Sequence, residues 1–99
     1  MPEIIWLPEA VDDLTRLHEF LIDKNPHAAQ QAAKCILSAV AYIQENPNIG
    51  YTIDHDNGMQ ELYAPFGKGA YVLQYVMDDD RILLVRIWHS REERTAPPL

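Results

Sequence analysis

Apolar residues recur along this 99-residue chain with two different periods, and the change from one to the other divides it. Glu3 to Leu7 (EIIWL) is a short β-rich run that Pro8 ends; it predicts a first strand. From Pro8 the apolar positions Ala10, Leu14, Leu17 and Leu21, joined by Val11 and His18, are spaced by three and four. That spacing predicts a helix with one buried stripe, and Glu9, Asp12 and Asp13 place negative charge at the positive end of its dipole. Asn25-Pro26 stops this helix and caps the next, whose stripe is Ala29, Ala32, Ala33, Ile36, Ala39, Val40 and Ile43. The two helices form a hairpin, closely packed because alanine leaves little side chain between the backbones. Asn46-Pro47-Asn48-Ile49-Gly50 is a stop, and Tyr51 to Gly58 has the polar, turn-rich character of a loop. From Met59 the period becomes two. Runs over Met59 to Phe66, Ala70 to Met77 and Arg81 to His89 are separated by Gly67-Lys68-Gly69 and Asp78-Asp79-Asp80, which predicts an antiparallel three-stranded meander.

The predicted fold is therefore α+β in the order β-α-α-β-β-β, with the helical hairpin covering one face of a small antiparallel sheet. Residues 1–94 make one domain, and Thr95 to Leu99, with two prolines, is expected to be a flexible tail. The run from Arg81 to His89 is the candidate central strand, with Leu83, Val85, Ile87 and His89 turned toward the helices and Ile82, Leu84, Arg86 and Trp88 turned away.

Composition narrows the possible partners. The net charge is −7, from 8 Lys and Arg against 15 Asp and Glu, which argues against non-specific attraction to nucleic acid or anionic lipid. A nucleic-acid role would have to rest on a local basic patch. The single cysteine, Cys35, cannot form an internal disulfide, and neither a signal peptide nor an apolar run of about 18 residues is present. A soluble, unexported protein of the cytoplasm is expected.

The candidate chemistry gathers at the exit of the last strand. A guanidinium on a packed strand needs a partner, so Arg86 either pairs with a carboxylate such as Glu61 or joins His89, Arg91 and Arg94 in an anion-binding edge. His89 is either a hydrogen-bonded strand end or a general base with Arg86 or Arg91 as a phosphate clamp. As a binding surface, the same region offers Arg86, Trp88, His89, Arg91 and Arg94. No pair among His18, His27, His55 and His89 has metal-ligand spacing, so neither a metal nor a cofactor is expected. Lys68 lies between glycines without the GxxxxGK[ST] spacing of a phosphate loop, and Cys35, among alanines, reads as a packing residue.

Several stretches taken in order carry a resemblance: Leu7-Pro8-Glu9-Ala10 with Asp13 beyond, the helical hairpin, Asn46-Pro47-Asn48-Ile49-Gly50, Glu61-Leu62-Tyr63-Ala64-Pro65-Phe66-Gly67, Tyr71-Val72-Leu73-Gln74-Tyr75, and Val85-Arg86-Ile87-Trp88-His89-Ser90-Arg91. Over nearly its whole length the chain resembles the RelE/ParE superfamily of bacterial toxin–antitoxin toxins. The resemblance implies a small toxin held inactive, in a hetero-oligomer, by an antitoxin encoded beside it. RelE-like members cut messenger RNA on the ribosome, whereas ParE-like members poison DNA gyrase without being hydrolases. Cutters resemble one another in a basic residue after the first tyrosine of the YxxxY strand and a tyrosine near the C-terminus; here these are Val72 and a tail without tyrosine. Gln60 stands where arginine is frequent. These departures point to the ParE-like branch, with messenger RNA cleavage or a non-toxic antitoxin-binding relative as alternatives.

Overall fold

A computed structural model describes residues 2–92. Strand β1 (Glu3–Trp6) is followed by helices α1 (Pro8–Ile22) and α2 (Pro26–Glu45) and by strands β2 (Tyr51–Asp54), β3 (Met59–Phe66), β4 (Gly69–Asp78) and β5 (Arg81–His89). Both helices start where the prolines predicted, and the Asn25 side chain accepts the Ala28 N–H at 3.1 Å as a cap. Their apolar stripes pack on one face of the sheet, against Leu73, Tyr75, Ile82, Leu84 and Ile87, all fully buried. The predicted α+β fold with a helical hairpin on one sheet face is the one observed.

The sheet is larger than the three-stranded meander. Its order is β1-β5-β4-β3-β2, with β1 parallel to β5 and the other pairs antiparallel. Hence β4 is the central strand; β5 lies between it and β1. The stretch expected as a loop from Tyr51 contains β2, a four-residue edge strand paired with β3 and exposed along its length. With no buried face, it has no apolar alternation by which to announce itself.

The side-chain parity expected for β5 is also corrected. Gln74 pairs with Arg86 but Tyr75 with Leu84, so Val85 is an extra residue, a β-bulge. Before the bulge Ile82 and Leu84 face the helices; after it Ile87 and His89 do. In α1 the stripe departs too: Val11 and His18 are exposed, whereas Asp13 lies buried at 2% exposure. Among the described residues no helix is long and apolar enough to cross a membrane. Arg94 and the tail 95–99 fall outside the described residues.

Candidate functional site

The bulge and the buried aspartate belong together. Strand β1 stops at Trp6, and the Leu7 N–H makes the last bond to β5, at Leu84 O (3.0 Å). Past Leu84 the outer edge of β5 faces helix α1 instead of a strand, and its N–H groups need another acceptor. The Asp13 carboxylate supplies it: Ile87 N–H donates to Oδ2 at 2.8 Å. Arg86 donates from Nε to Oδ2 at 2.7 Å and from Nη2 to Oδ1 at 3.0 Å, a two-pronged pair, and Arg16, one turn along α1, donates from Nη1 to Oδ1.

Arg16 extends the chain of charges. Its Nε and Nη2 hold the two oxygens of Glu92 at 2.8 and 3.2 Å, and Nη2 also donates to Ile87 O at 3.2 Å. Burial pushes the Asp13 carboxyl up, but the bonds from Arg86, Ile87 N–H and Arg16 outweigh it, so the pKa falls below 3.8. Asp13 also raises the pKa of Arg86, chiefly through its hydrogen bonds, and Arg16 is raised against its own desolvation by Glu92 and Asp13. The partner of Arg86 is therefore Asp13, not Glu61. Glu61 sits elsewhere, accepting from Gln74 Nε2 at 3.2 Å and from the Tyr63 hydroxyl at 3.0 Å.

Beyond Arg16 the surface opens into a hollow of about 610 Å3 between α1, the Gly67 turn and the exit of β5. Leu17, Phe20, Leu21, Phe66 and Tyr71 make its apolar lining; Arg16, His89, Arg91 and Glu92 give it a polar side. His89 stands edge-on to Tyr71, with ring centres 4.9 Å apart. Its Nε2 lies 2.9 Å from Phe66 O, and its Nδ1 lies 3.2 Å from the Arg91 N–H. A carbonyl only accepts and a backbone N–H only donates, so Nε2 carries the proton and the lone pair of Nδ1 is occupied. The Arg91 guanidinium has no ion-pair partner among the described residues.

Of the residues expected to act together, the structure brings His89 and Arg91 to one hollow, holds Arg86 behind it on Asp13, and places Trp88 beside Val72 on the sheet face turned away from the helices. Asp13, Arg16, Phe20 and Glu92 are site residues that sequence reasoning missed. A signal existed for Asp13, which shares the stripe of Ala10 and Leu17 at three- and four-residue spacing while Arg86 lacked an assigned partner. Among the described residues, no group of at least 3 His, Cys, Asp or Glu is placed to hold a metal ion.

A helical hairpin laid on a five-stranded sheet in the order β-α-α-β-β-β-β is a ParE-like fold. A family model described as the ParE toxin of the type II toxin–antitoxin system parDE matches residues 4–94. The chain belongs to that family. Two relatives from Caulobacter vibrioides are similar along most of their length: Toxin RelE3 is 38% identical over 88% of this chain and 92% of its own, and Toxin RelE1 is 30% identical over 83% and 86%. A solved chain from the chromosomal ParDE toxin–antitoxin system of P. aeruginosa superposes with a TM-score of 0.74, covering 90% of this chain and 96% of that one at 20% identity, a likeness of fold.

Proposed function

We propose that this chain is a toxin that inhibits DNA gyrase by protein–protein contact in the cytoplasm, and that a cognate antitoxin neutralises it in a hetero-oligomer. Family membership supports the antitoxin, and the state of His89 supports the mode of action. A general base needs a free lone pair within reach of the proton it removes; the lone pair of His89 already accepts the Arg91 N–H, and its other nitrogen donates to Phe66 O. Arg86 and Arg16 are likewise engaged by Asp13 and Glu92 rather than turned to a scissile phosphate. Val72, where cutters carry a basic residue, is buried in the sheet. Contact with the target runs through the exit of β5, with Arg86, Trp88, His89, Arg91 and Arg94 among its residues. The purified chain is expected to inhibit gyrase supercoiling and to leave ribosome-bound messenger RNA whole. Specific, ribosome-dependent cleavage by the purified protein would remove this reading.

One observation favours a second reading. His89 and Arg91 share a hollow open to solvent, so a messenger RNA nuclease would use His89 as base and Arg91 or Arg86 as phosphate clamp. An unchanged cleavage pattern in His89→Ala would exclude it. A non-toxic antitoxin-binding relative, suggested by the net charge of −7, is excluded by strong growth arrest on induction in a bacterial host.

A further inference from the structure

With Arg86 turned to Asp13, the carboxylate of Glu61 is left without a cation. Arg86 is the cross-strand neighbour of Gln74, yet its guanidinium reaches round to α1, and among the described residues Glu61 makes no ion pair. Glu61 is nonetheless only 9% exposed. A carboxylate taken out of water needs its charge answered, and the two bonds it accepts here, from the Tyr63 hydroxyl at 3.0 Å and Gln74 Nε2 at 3.2 Å, both come from neutral donors. A carboxylate accepts about four bonds, so capacity is left over. Gln74 Oε1, on a residue 3% exposed, is a further acceptor with no hydrogen-bond partner among the described residues. The cluster is short of donors and of positive charge.

Its rim restricts what can supply them. In the sheet register Glu61 stands between Gln74 of β4 and Tyr51 of the edge strand β2, and the rings of Tyr51 and Tyr63 meet edge to face with centres 6.2 Å apart. Tyr51 is 73% exposed, and Ile49, Ile53 and Tyr63 are exposed as well. Exposed rings bonded to a carboxylate suit a guanidinium, which is planar and weakly hydrated, lies against aromatic faces and donates through its fork. A phosphate has the wrong charge: no Lys or Arg occurs between Lys34 and Lys68, whereas Glu45, Asp54, Asp56 and Glu61 all fall there, so nucleic acid is repelled. A small free cation would leave the isoleucines and tyrosines of this edge uncovered. A side chain carried on a protein segment covers them.

We propose that Tyr51, Tyr63 and Glu61 form a seat for one arginine side chain of a protein partner, with the guanidinium against the two rings and its N–H groups donating to the Glu61 carboxylate. The apolar neighbours of that arginine cover Ile49 and Ile53. This goes beyond the gyrase and antitoxin readings, and its test uses neither protein.

The test titrates the whole chain, followed by NMR, with a blocked peptide holding one arginine between valines, with the same peptide carrying the neutral isostere citrulline in its place, and with free arginine. The arginine peptide should move the ring signals of Tyr51 and Tyr63. Its affinity should fall about fivefold or more in Tyr51→Ser and in Glu61→Gln, and by as much when citrulline replaces arginine. Tyr51 is exposed, so Tyr51→Ser is expected to fold; where a thermal melt shows Glu61→Gln destabilised, Tyr51→Ser decides. Ring signals left unmoved by the arginine peptide, or equal affinity for Tyr51→Ser or for the citrulline peptide, overturn the proposal. Free arginine that binds as tightly as the peptide overturns the protein source and leaves a site for a small cation.

Discussion

Replacing Asp13 by alanine should be among the most damaging single changes in this domain. The carboxylate is 2% exposed and takes bonds from two guanidiniums and the Ile87 N–H. Removing one partner of a buried ion pair commonly costs about 3–5 kcal/mol, since the other is left uncompensated. Here the side chains of Arg86 and Arg16 are 26% and 38% exposed, so water relieves part of their loss. The Ile87 N–H is buried and has no such relief. A loss of about 2–4 kcal/mol follows, or roughly 10–25 °C in Tm for a domain of this size. Asp13→Asn keeps an acceptor for Ile87 but not the charge, and should fall between alanine and wild type. Pairing Asp13→Leu with Arg86→Met should cost less than the sum of the single changes, because each alone strands the other's partner. Urea unfolding followed by circular dichroism, with the slope unchanged, measures the alanine and asparagine variants, the two single changes of the pair and the double variant. An Asp13→Ala loss under about 1 kcal/mol, or strict additivity in the double variant, would refute this account of the bulge and its anchor.

Four further outcomes are expected. Because the folded pKa of Asp13 lies below its ordinary 3.8, its stabilisation is complete above that pH and lost as pH falls through 3.8 toward the depressed value; Asp13→Asn should flatten the stability profile there. Burial pushes the Tyr71 phenol up to about 12, so stability should decline from pH 10 upward as the unfolded chain ionises first, and Tyr71→Phe should delete the last step of a spectrophotometric tyrosine titration. Gly50→Ala would set a Cβ 2.7 Å from the Tyr75 hydroxyl and 3.0 Å from Glu61 O, at a cost of about 1–3 kcal/mol by denaturant titration. Ala32→Leu, at a site 3% exposed under the helical hairpin, should cost about the same, and a neutral result would show that the helices are not closely packed.

The helices were legible because each has a proline at its first position and a three-to-four stripe; nothing competes with that signal in Pro26 to Glu45. Strands β3, β4 and β5 were legible from their alternation and glycine or aspartate turns. Edge strand β2 was not, since exposure on all sides erases periodicity. The parallel pairing of β1 with β5 joins segments from opposite ends of the chain, which no local pattern encodes. The bulge at Val85 was invisible for a related reason: in a run as apolar as Ile82 to Val85 either parity buries something greasy, and only a neighbouring strand and Asp13 decide between them. At the site, His89 and Arg91 were found as residue types at a strand exit. Their meeting with Phe20 and Arg16 depends on how α1 crosses the sheet.

The pairing of β1 with β5 bears on the order in which the chain folds. Glu3 leaves the ribosome early but finds its register mate, Arg81, only after nearly all the remaining residues have been made. The hairpin of α1 and α2 can assemble from neighbouring residues, whereas the outermost strand must wait with Ile4 and Trp6 uncovered. Amide exchange on stalled nascent chains would reveal this delay as an unprotected β1 in every truncation that stops short of Arg81. In this order of assembly the helical hairpin is in place before the sheet it covers is closed by the pairing of β1 with β5.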